Sequence, residues 1–340
     1  MHENDMQNSL QKSKTRLLGN GYWRDVWPVL DAEPLSSRSH QPKKVALKTM
    51  RYEHDYTERN YDRHVRDAIV SERLTSSPRV TAIYSFCGNS GYYEFGSNGS
   101  LTDRLEQHDA ALTDAESKKQ MGRGHDAKSK DERLLGQYEK LSLAYQAAAG
   151  LADLHDTDAM RDANGEIISA AMVHADIKSD QFINIGGVYK LNDFNRCRFM
   201  RRYRNSAKSG GGDGKPCGFT VGNNSGTGRS PEEYAYAVET EKIDIYSLGN
   251  IFYTILTNLD PFDDYDGKEA IKAIMKGKRP EVPAPQLKSN DPVDVVLRKV
   301  MYQCWKHKPK DRPRARALAD ILSKELSLLN HRQEDGLVTT

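Results

Sequence analysis

Val173-His174-Ala175-Asp176-Ile177-Lys178-Ser179-Asp180-Gln181-Phe182 leads through Ile183-Asn184-Ile185 and a Gly186-Gly187 pair into Val188-Tyr189-Lys190-Leu191-Asn192-Asp193-Phe194-Asn195-Arg196. Short apolar runs on either side of paired glycines predict a strand, a tight turn and a strand. Two carboxylates, Asp176 and Asp193, therefore flank one hairpin, an arrangement that independent surface acids rarely produce.

Upstream of this stretch, residues 132–156 place Leu141, Tyr145, Ala148, Leu151 and Leu154 at three- and four-residue spacing, which predicts a core helix. From 14 to 95 the signals are mostly those of strands: LLGNG, RDVWPVL, KVALKTM, VTAIYSFCG and GYYEF. One charge-dense helix interrupts them, from about Arg59 to Leu74, and stops before Ser76-Ser77-Pro78. Downstream of the hairpin, helices are expected at 240–258, 267–277, 291–306 and 314–329. The pattern is that of an α+β chain in two lobes, a β-rich N-lobe over 14–95 with one main helix and an α-rich C-lobe over 96–328. Residues 1–13 and 329–340 are polar and unpatterned and read as a disordered arm and a flexible tail. Residues 109–131 and 203–229, small, charged or Gly- and Ser-rich, read as mobile inserts.

With 340 residues the chain can bury a substantial core. Its 50 Lys+Arg against 48 Asp+Glu, a formal net charge of +2, give no global field to recruit nucleic acid or an anionic membrane. The four cysteines, Cys87, Cys197, Cys217 and Cys304, lack C-x-x-C spacing and argue against a zinc site or a disulfide framework. No run approaches the ~18 apolar residues of a membrane span, and the N-terminus lacks a signal-peptide core. The expected setting is the cytoplasm.

The residues that carry chemistry fall in a fixed order. Gly19 and Gly21 in LLGNGYWRDV allow backbone amides to approach phosphate oxygens with no Cβ in the way, and Val26 follows them. Arg24 stands where a third glycine would complete the loop. Val45-Ala46-Leu47-Lys48 places a lysine in an apolar strand, and the next helix offers Asp67 and Glu72, of which Asp67 fits the apolar pattern better as an acid partner for Lys48. The run RFMRRYR at 198–204 reads as a solvated basic face.

VHADIKSDQF resembles, residue by residue, the catalytic loop of protein kinases, and the order Lys48, Asp176, Asp193 matches that family. The resemblance covers about 14–328 and implies a two-lobed protein kinase-like fold that uses ATP with Mg²⁺, or Mn²⁺, on a protein substrate. It implies that Asp176 accepts the proton of the substrate hydroxyl and that Lys178 neutralises the transferring phosphoryl group. Gly19, Gly21 and Val26 would cover the nucleotide, Ala46 would pack on the base and Lys48, paired with Asp67, would reach the α- and β-phosphates. Tyr93 would line the adenine site, with the backbone of Glu94 and Gly96 hydrogen-bonding adenine. Asp193 and Gln181 would hold the metal. Ser230-Pro231-Glu232 resembles the family's A-P-E segment, with Arg312 as the buried partner of Glu232, and Asp244 in DIYSLGN would anchor the catalytic loop.

The sequence departs from the family at Arg24, Asp67, Ala175, Gln181 and Asn195. Ala175 removes the arginine that would clasp a phosphorylated activation segment. Asn195, in place of glycine, is expected to take up a left-handed backbone conformation. Lys178 favours serine or threonine transfer, and CWKHKPKDRP resembles the tyrosine-kinase-like branch. The departures leave an alternative, a weak or inactive pseudokinase acting as a nucleotide-binding scaffold or allosteric partner.

Overall fold

The computed structural model describes residues 17–31, 43–120, 134–202, 216–222 and 224–334. The expected arm at 1–13 lies outside them. The chain divides into two compact units, one of residues 1–98 and 183–197, the other of 99–182 and 198–340.

The first unit is built on a five-stranded antiparallel sheet of β1 (Gly19–Asn20), β2 (Arg24–Asp31), β3 (Lys43–Met50), β4 (Ile83–Cys87) and β5 (Ser90–Glu94), in the order β1-β2-β3-β5-β4. Two-residue alternation divides the side chains of the sheet between its faces. Val29, Val45, Leu47 and Tyr92 bury one face, with Trp27 packed beside them. The register pairs Arg24 with Met50, Val26 with Lys48 and Ala46 with Tyr93, so these residues share the other face. Helix α1 (Glu58–Arg73) starts at Thr57, whose hydroxyl accepts from the Asn60 amide. It buries Asn60, His64, Asp67 and Ser71, a polar stripe at helical spacing.

The hairpin after the catalytic-loop stretch also belongs to this unit, whereas the sequence assigned everything beyond 95 to the C-lobe. The reason is backbone pairing. The Thr81 amide donates to Leu191 O at 2.9 Å and the Leu191 amide to Arg79 O at 2.8 Å. Lys190 Nζ adds two 2.8 Å bonds to the Glu94 carboxylate.

The second unit is helical: α2 (Leu101–Gln120), α3 (Gln137–Asp156), α4 (Pro231–Tyr234), α5 (Lys242–Thr257), α6 (Gly267–Met275), α7 (Ala284–Lys288), α8 (Pro292–Cys304) and α9 (Ala315–Glu334). Helix α3 is alanine-rich along its buried face, which lets α5 and α9 pack closely on it. Gly249 serves the same purpose on α5, because a Cβ there would lie 2.8 Å from Cys304 Cβ and from the Trp305 ring. The β-sheet first region and the helical second region agree with the fold class expected from the sequence. Among the described residues no helix is long and apolar enough to cross a membrane.

Two boundaries differ from expectation. The described part of the expected insert at 109–131 is helical as far as Gln120, since 109–120 contains no Gly or Pro to break α2. Helix α9 runs past the expected end at 329 to Glu334, again through residues without a breaker. Of the Gly- and Ser-rich stretch at 203–229, residues 203–215 and 223 lie outside the described residues.

Glu239 is fully buried in the second unit. Its main chain exchanges two hydrogen bonds with Phe219, and its Oε1 accepts from the Val221 amide at 3.1 Å. Burial pushes the carboxyl up from 4.5 to about 7, with Glu233 and Glu232 adding to the shift while the Val221 amide and Arg198 oppose it. A carboxyl raised in the folded state favours folding below its unfolded value and loses that contribution as pH rises through its folded value. Glu239→Gln is therefore expected to match wild-type thermal stability near about pH 5 and to exceed it near about pH 8. Melting temperatures of the two proteins across that range check the crossover.

Candidate active site

On the first unit, the candidate nucleotide residues form a row across the sheet. Gly19 on β1 pairs with Val26 on β2, Val26 with Lys48 on β3, and Lys48 with Gly91 on β5. Ala46, two residues from Lys48 and buried, lies on the same face. The glycine-containing turn closes with the Gly21 amide donating to Arg24 O at 2.9 Å. Gly96 lies where the chain leaves the sheet, and it must be glycine: a Cβ there would lie 2.5 Å from Ile183 Cγ2 and 2.9 Å from Asn184 O. The Glu94 amide donates to Ala82 O, so an adenine contact at Glu94 would have to use another group.

Asp67 is completely buried, and three elements converge on it. Its Oδ2 accepts from Arg24 Nη1 at 2.5 Å and from the Tyr93 hydroxyl at 2.7 Å. Its Oδ1 accepts from the Phe194 amide at 2.7 Å. Burial would raise this carboxyl, but Lys48 and Arg24, helped by the Tyr93 and Phe194 bonds, hold it well below the ordinary carboxylate range. Arg24 Nε also donates to His64 Nδ1 at 2.6 Å. Burial and the neighbouring Arg24 cation push His64 down to about 3, so the ring stays neutral and can accept that bond.

The expected Lys48 to Asp67 ion pair is replaced. Lys48 Nζ donates instead to Asn192 Oδ1 at 2.8 Å and lies 4.2 Å from the centre of the Tyr93 ring. Burial lowers its pKa, opposed by Asp67 and Asp193.

Asp193 adopts a left-handed backbone, φ 62° and ψ 72°. The sequence placed that conformation at Asn195, which instead lies in the single helical turn Phe194–Arg196 and donates from Nδ2 to Asp193 Oδ1 at 2.6 Å. A non-glycine residue held left-handed costs roughly 1–2 kcal/mol and persists where the surroundings fix it. Here the Asp67 bond to the next amide does so.

On the second unit, Asp244 at the start of α5 accepts from the His174 amide at 2.7 Å and the Ala175 amide at 2.8 Å, and His155 Nε2 lies 2.9 Å from its Oδ2. Ala175 is also left-handed, with φ 61°, so two hydrogen bonds to one buried carboxylate pin the turn that presents Asp176. Asp176 Oδ1 accepts from Arg229 Nη2 at 2.5 Å, and Arg229 Nη1 reaches Ala175 O at 3.1 Å. Burial would lower the Arg229 pKa, but Asp176 and then Glu233 raise it overall. Lys178 projects outward to Asp180 at 3.1 Å, both about half exposed, while Gln181 is buried in the short turn Ser179–Gln181. The expected pair of Glu232 with Arg312 is present and bidentate, at 2.5 and 2.8 Å, and buried.

Sequence reasoning did not find Arg229, Asn192 or His64, and it read Arg24 only as a missing glycine. Arg24 had a signal: it stands two residues before Val26 in an alternating strand, and so on the face of Lys48 once the strands pair. Arg229 had none, because 53 residues separate it from Asp176.

The chain is similar in sequence to known proteins. The family described as protein tyrosine and serine/threonine kinase matches residues 13–322, and the chain belongs to that family. Dual specificity protein kinase pyk3 of Dictyostelium discoideum is 36% identical over 113 residues, 30% of this chain and 8% of that protein. The RGS domain-containing serine/threonine-protein kinase A of the same organism is 24% identical over 176 residues, 52% of this chain and 13% of that protein. Dual specificity protein kinase shkC, also from Dictyostelium, is 25% identical over 188 residues, 54% of this chain and 32% of that protein. The matched part of the chain thus spans a third or less of each relative's length.

Replacing Asp244 with Ala would leave two buried amides of a strained turn without acceptors, together with the His155 ring nitrogen. The expected loss of unfolding free energy is roughly 3 kcal/mol. Urea denaturation of Asp244→Ala against wild type measures it.

Proposed function

We propose that this chain is an ATP-dependent protein kinase that transfers the γ-phosphoryl group to serine or threonine hydroxyls of protein substrates. One observation carries the reading: Asp176 stands on a left-handed turn whose two preceding amides are fixed by the buried Asp244. A proton acceptor needs such a fixed position more than it needs unusual chemistry, since phosphoryl transfer relies on placement and charge.

In this mechanism Asp176 accepts the substrate hydroxyl proton as the O–H bond breaks and the new O–P bond forms. The bond from the γ-phosphorus to the bridging oxygen of ATP breaks, and ADP leaves. Lys48 neutralises the α- and β-phosphates, and Gly19, Gly21, Val26 and Ala46 enclose the nucleotide, with the backbone at Glu94 and Gly96 holding the base. Arg229, already against Asp176, orients that carboxylate. Lys178 approaches the phosphoryl group only by leaving Asp180, a surface pair that contributes little stability.

Among the described residues no group of three or more His, Cys, Asp or Glu side chains gathers to cage a metal. The Asp193 carboxylate suits Mg²⁺ arriving with nucleotide, because this hard ion commonly takes one or two carboxylates and completes its shell with phosphates and water, and the Gln181 carboxamide supplies an oxygen of the kind the ion accepts. When bound it would neutralise charge on the phosphates. Relatives named as dual specificity kinases make tyrosine a second acceptor to test.

A second reading, a nucleotide-binding scaffold without turnover, draws on the 2.5 Å Arg229 to Asp176 ion pair, which occupies the proposed proton acceptor. ADP formation by purified protein with Mg²⁺ or Mn²⁺ and generic serine, threonine and tyrosine substrates separates the two. The kinase reading expects turnover that falls about 10²–10⁴-fold in Asp176→Asn. Nucleotide binding with no turnover above that variant would establish the scaffold.

A further inference from the structure

The face of the first sheet that carries Lys48 also holds a buried cation that the kinase reading does not use. Arg24 is 6% exposed, and its guanidinium reaches three partners at once: Asp67 Oδ2 at 2.5 Å, His64 Nδ1 at 2.6 Å and the Tyr93 hydroxyl at 3.4 Å. His64 and Asp67 lie one turn apart on α1, so Arg24 grips two successive turns of the helix from β2. Lys48 is meanwhile engaged by Asn192.

We propose that Arg24 is the positioning residue that fixes α1 in this kinase, in place of Lys48, and that Lys48 is thereby left to serve the nucleotide phosphates alone. The proposal rests on the nucleotide-binding reading above for the second clause only.

The physical case is one of reach and donor number. Asp67 has a carboxylate one methylene shorter than a glutamate would supply, and the chain provides a long side chain opposite it where the glycine-containing loop would otherwise offer none. A planar guanidinium has five N–H donors in a fixed fork and can satisfy a carboxylate and an imidazole together; an ammonium is a single point of charge. The two departures at Arg24 and Asp67 are therefore one compensated change. Asp67 also accepts from the Phe194 amide, so the same clamp ties β2 and α1 to the backbone beside Asp193.

Double-mutant cycles on the full chain test this. One cycle combines Arg24→Gln with Asp67→Asn, the other Lys48→Met with Asp67→Asn, each read by thermal unfolding without nucleotide and by affinity for a fluorescent ADP analogue with Mg²⁺. Arg24→Gln removes the charge while keeping part of the stem and two N–H donors; Arg24→Lys is a second variant should the first fail to fold. In the first cycle the second substitution is expected to lower the melting temperature by much less than it does alone, and this coupling should exceed that between Lys48 and Asp67, which interact through charge without a direct hydrogen bond. Arg24→Gln should also weaken the nucleotide analogue roughly tenfold or more while still folded, through displaced groups rather than a lost contact. Arg24→Lys should recover little of either loss, since an ammonium cannot span His64 and Asp67.

Coupling of Lys48 with Asp67, with additivity between Arg24 and Asp67, would overturn the proposal. So would full nucleotide affinity in folded Arg24→Gln. Failure of the wild-type protein to bind the analogue would overturn the nucleotide-binding reading instead, and the unfolding cycles would still decide which cation clamps α1.

Discussion

The Asp67 carboxylate joins elements that are far apart in sequence. It accepts from Arg24 on β2, Tyr93 on β5 and the Phe194 amide beside Asp193, while standing on α1 itself. A buried carboxylate is costly unless its lone pairs are satisfied, and here charged and neutral donors satisfy it together. Removing Asp67 would strand a buried guanidinium as well as a tyrosine hydroxyl and a backbone amide. The left-handed Asp193 and the position of α1 both depend on this one group.

Asp244 has the corresponding role in the second unit. Its two oxygens take the amides of His174 and Ala175, and the strain at Ala175 is held by bonds that only a carboxylate in the first turn of α5 can provide. Each unit thus uses a buried acid to fix a backbone turn, and each turn presents one of the two aspartates whose spacing marked the family. Charge in these positions orders the backbone before it performs any chemistry.

Much of this was legible in the sequence for reasons of local physics. Two-residue alternation in KVALKTM separates Ala46 and Lys48 from Val45 and Leu47, and the structure keeps that division. The pairing of Glu232 with Arg312 was readable because both stand in recognisable segments. Other contacts were not readable. Asn195 was assigned the left-handed conformation because asparagine tolerates it, yet Asp193 takes it, since the Asp67 bond to the Phe194 amide selects which peptide turns. The pairing of Lys178 with Asp180 at the surface was likewise not foreseen.

By itself the sequence determined the broad succession of strands and helices and the family, because these follow from periodicity and from motifs confined to a few neighbouring residues. The tertiary structure alone decided who pairs with whom. Arg24 and Asp67 looked like two separate losses, a glycine and a methylene, until strand register and helix packing set a long cation against a short acid. Ion pairs in a buried site are settled by reach and desolvation across 43 residues of intervening chain, and no local pattern encodes that distance.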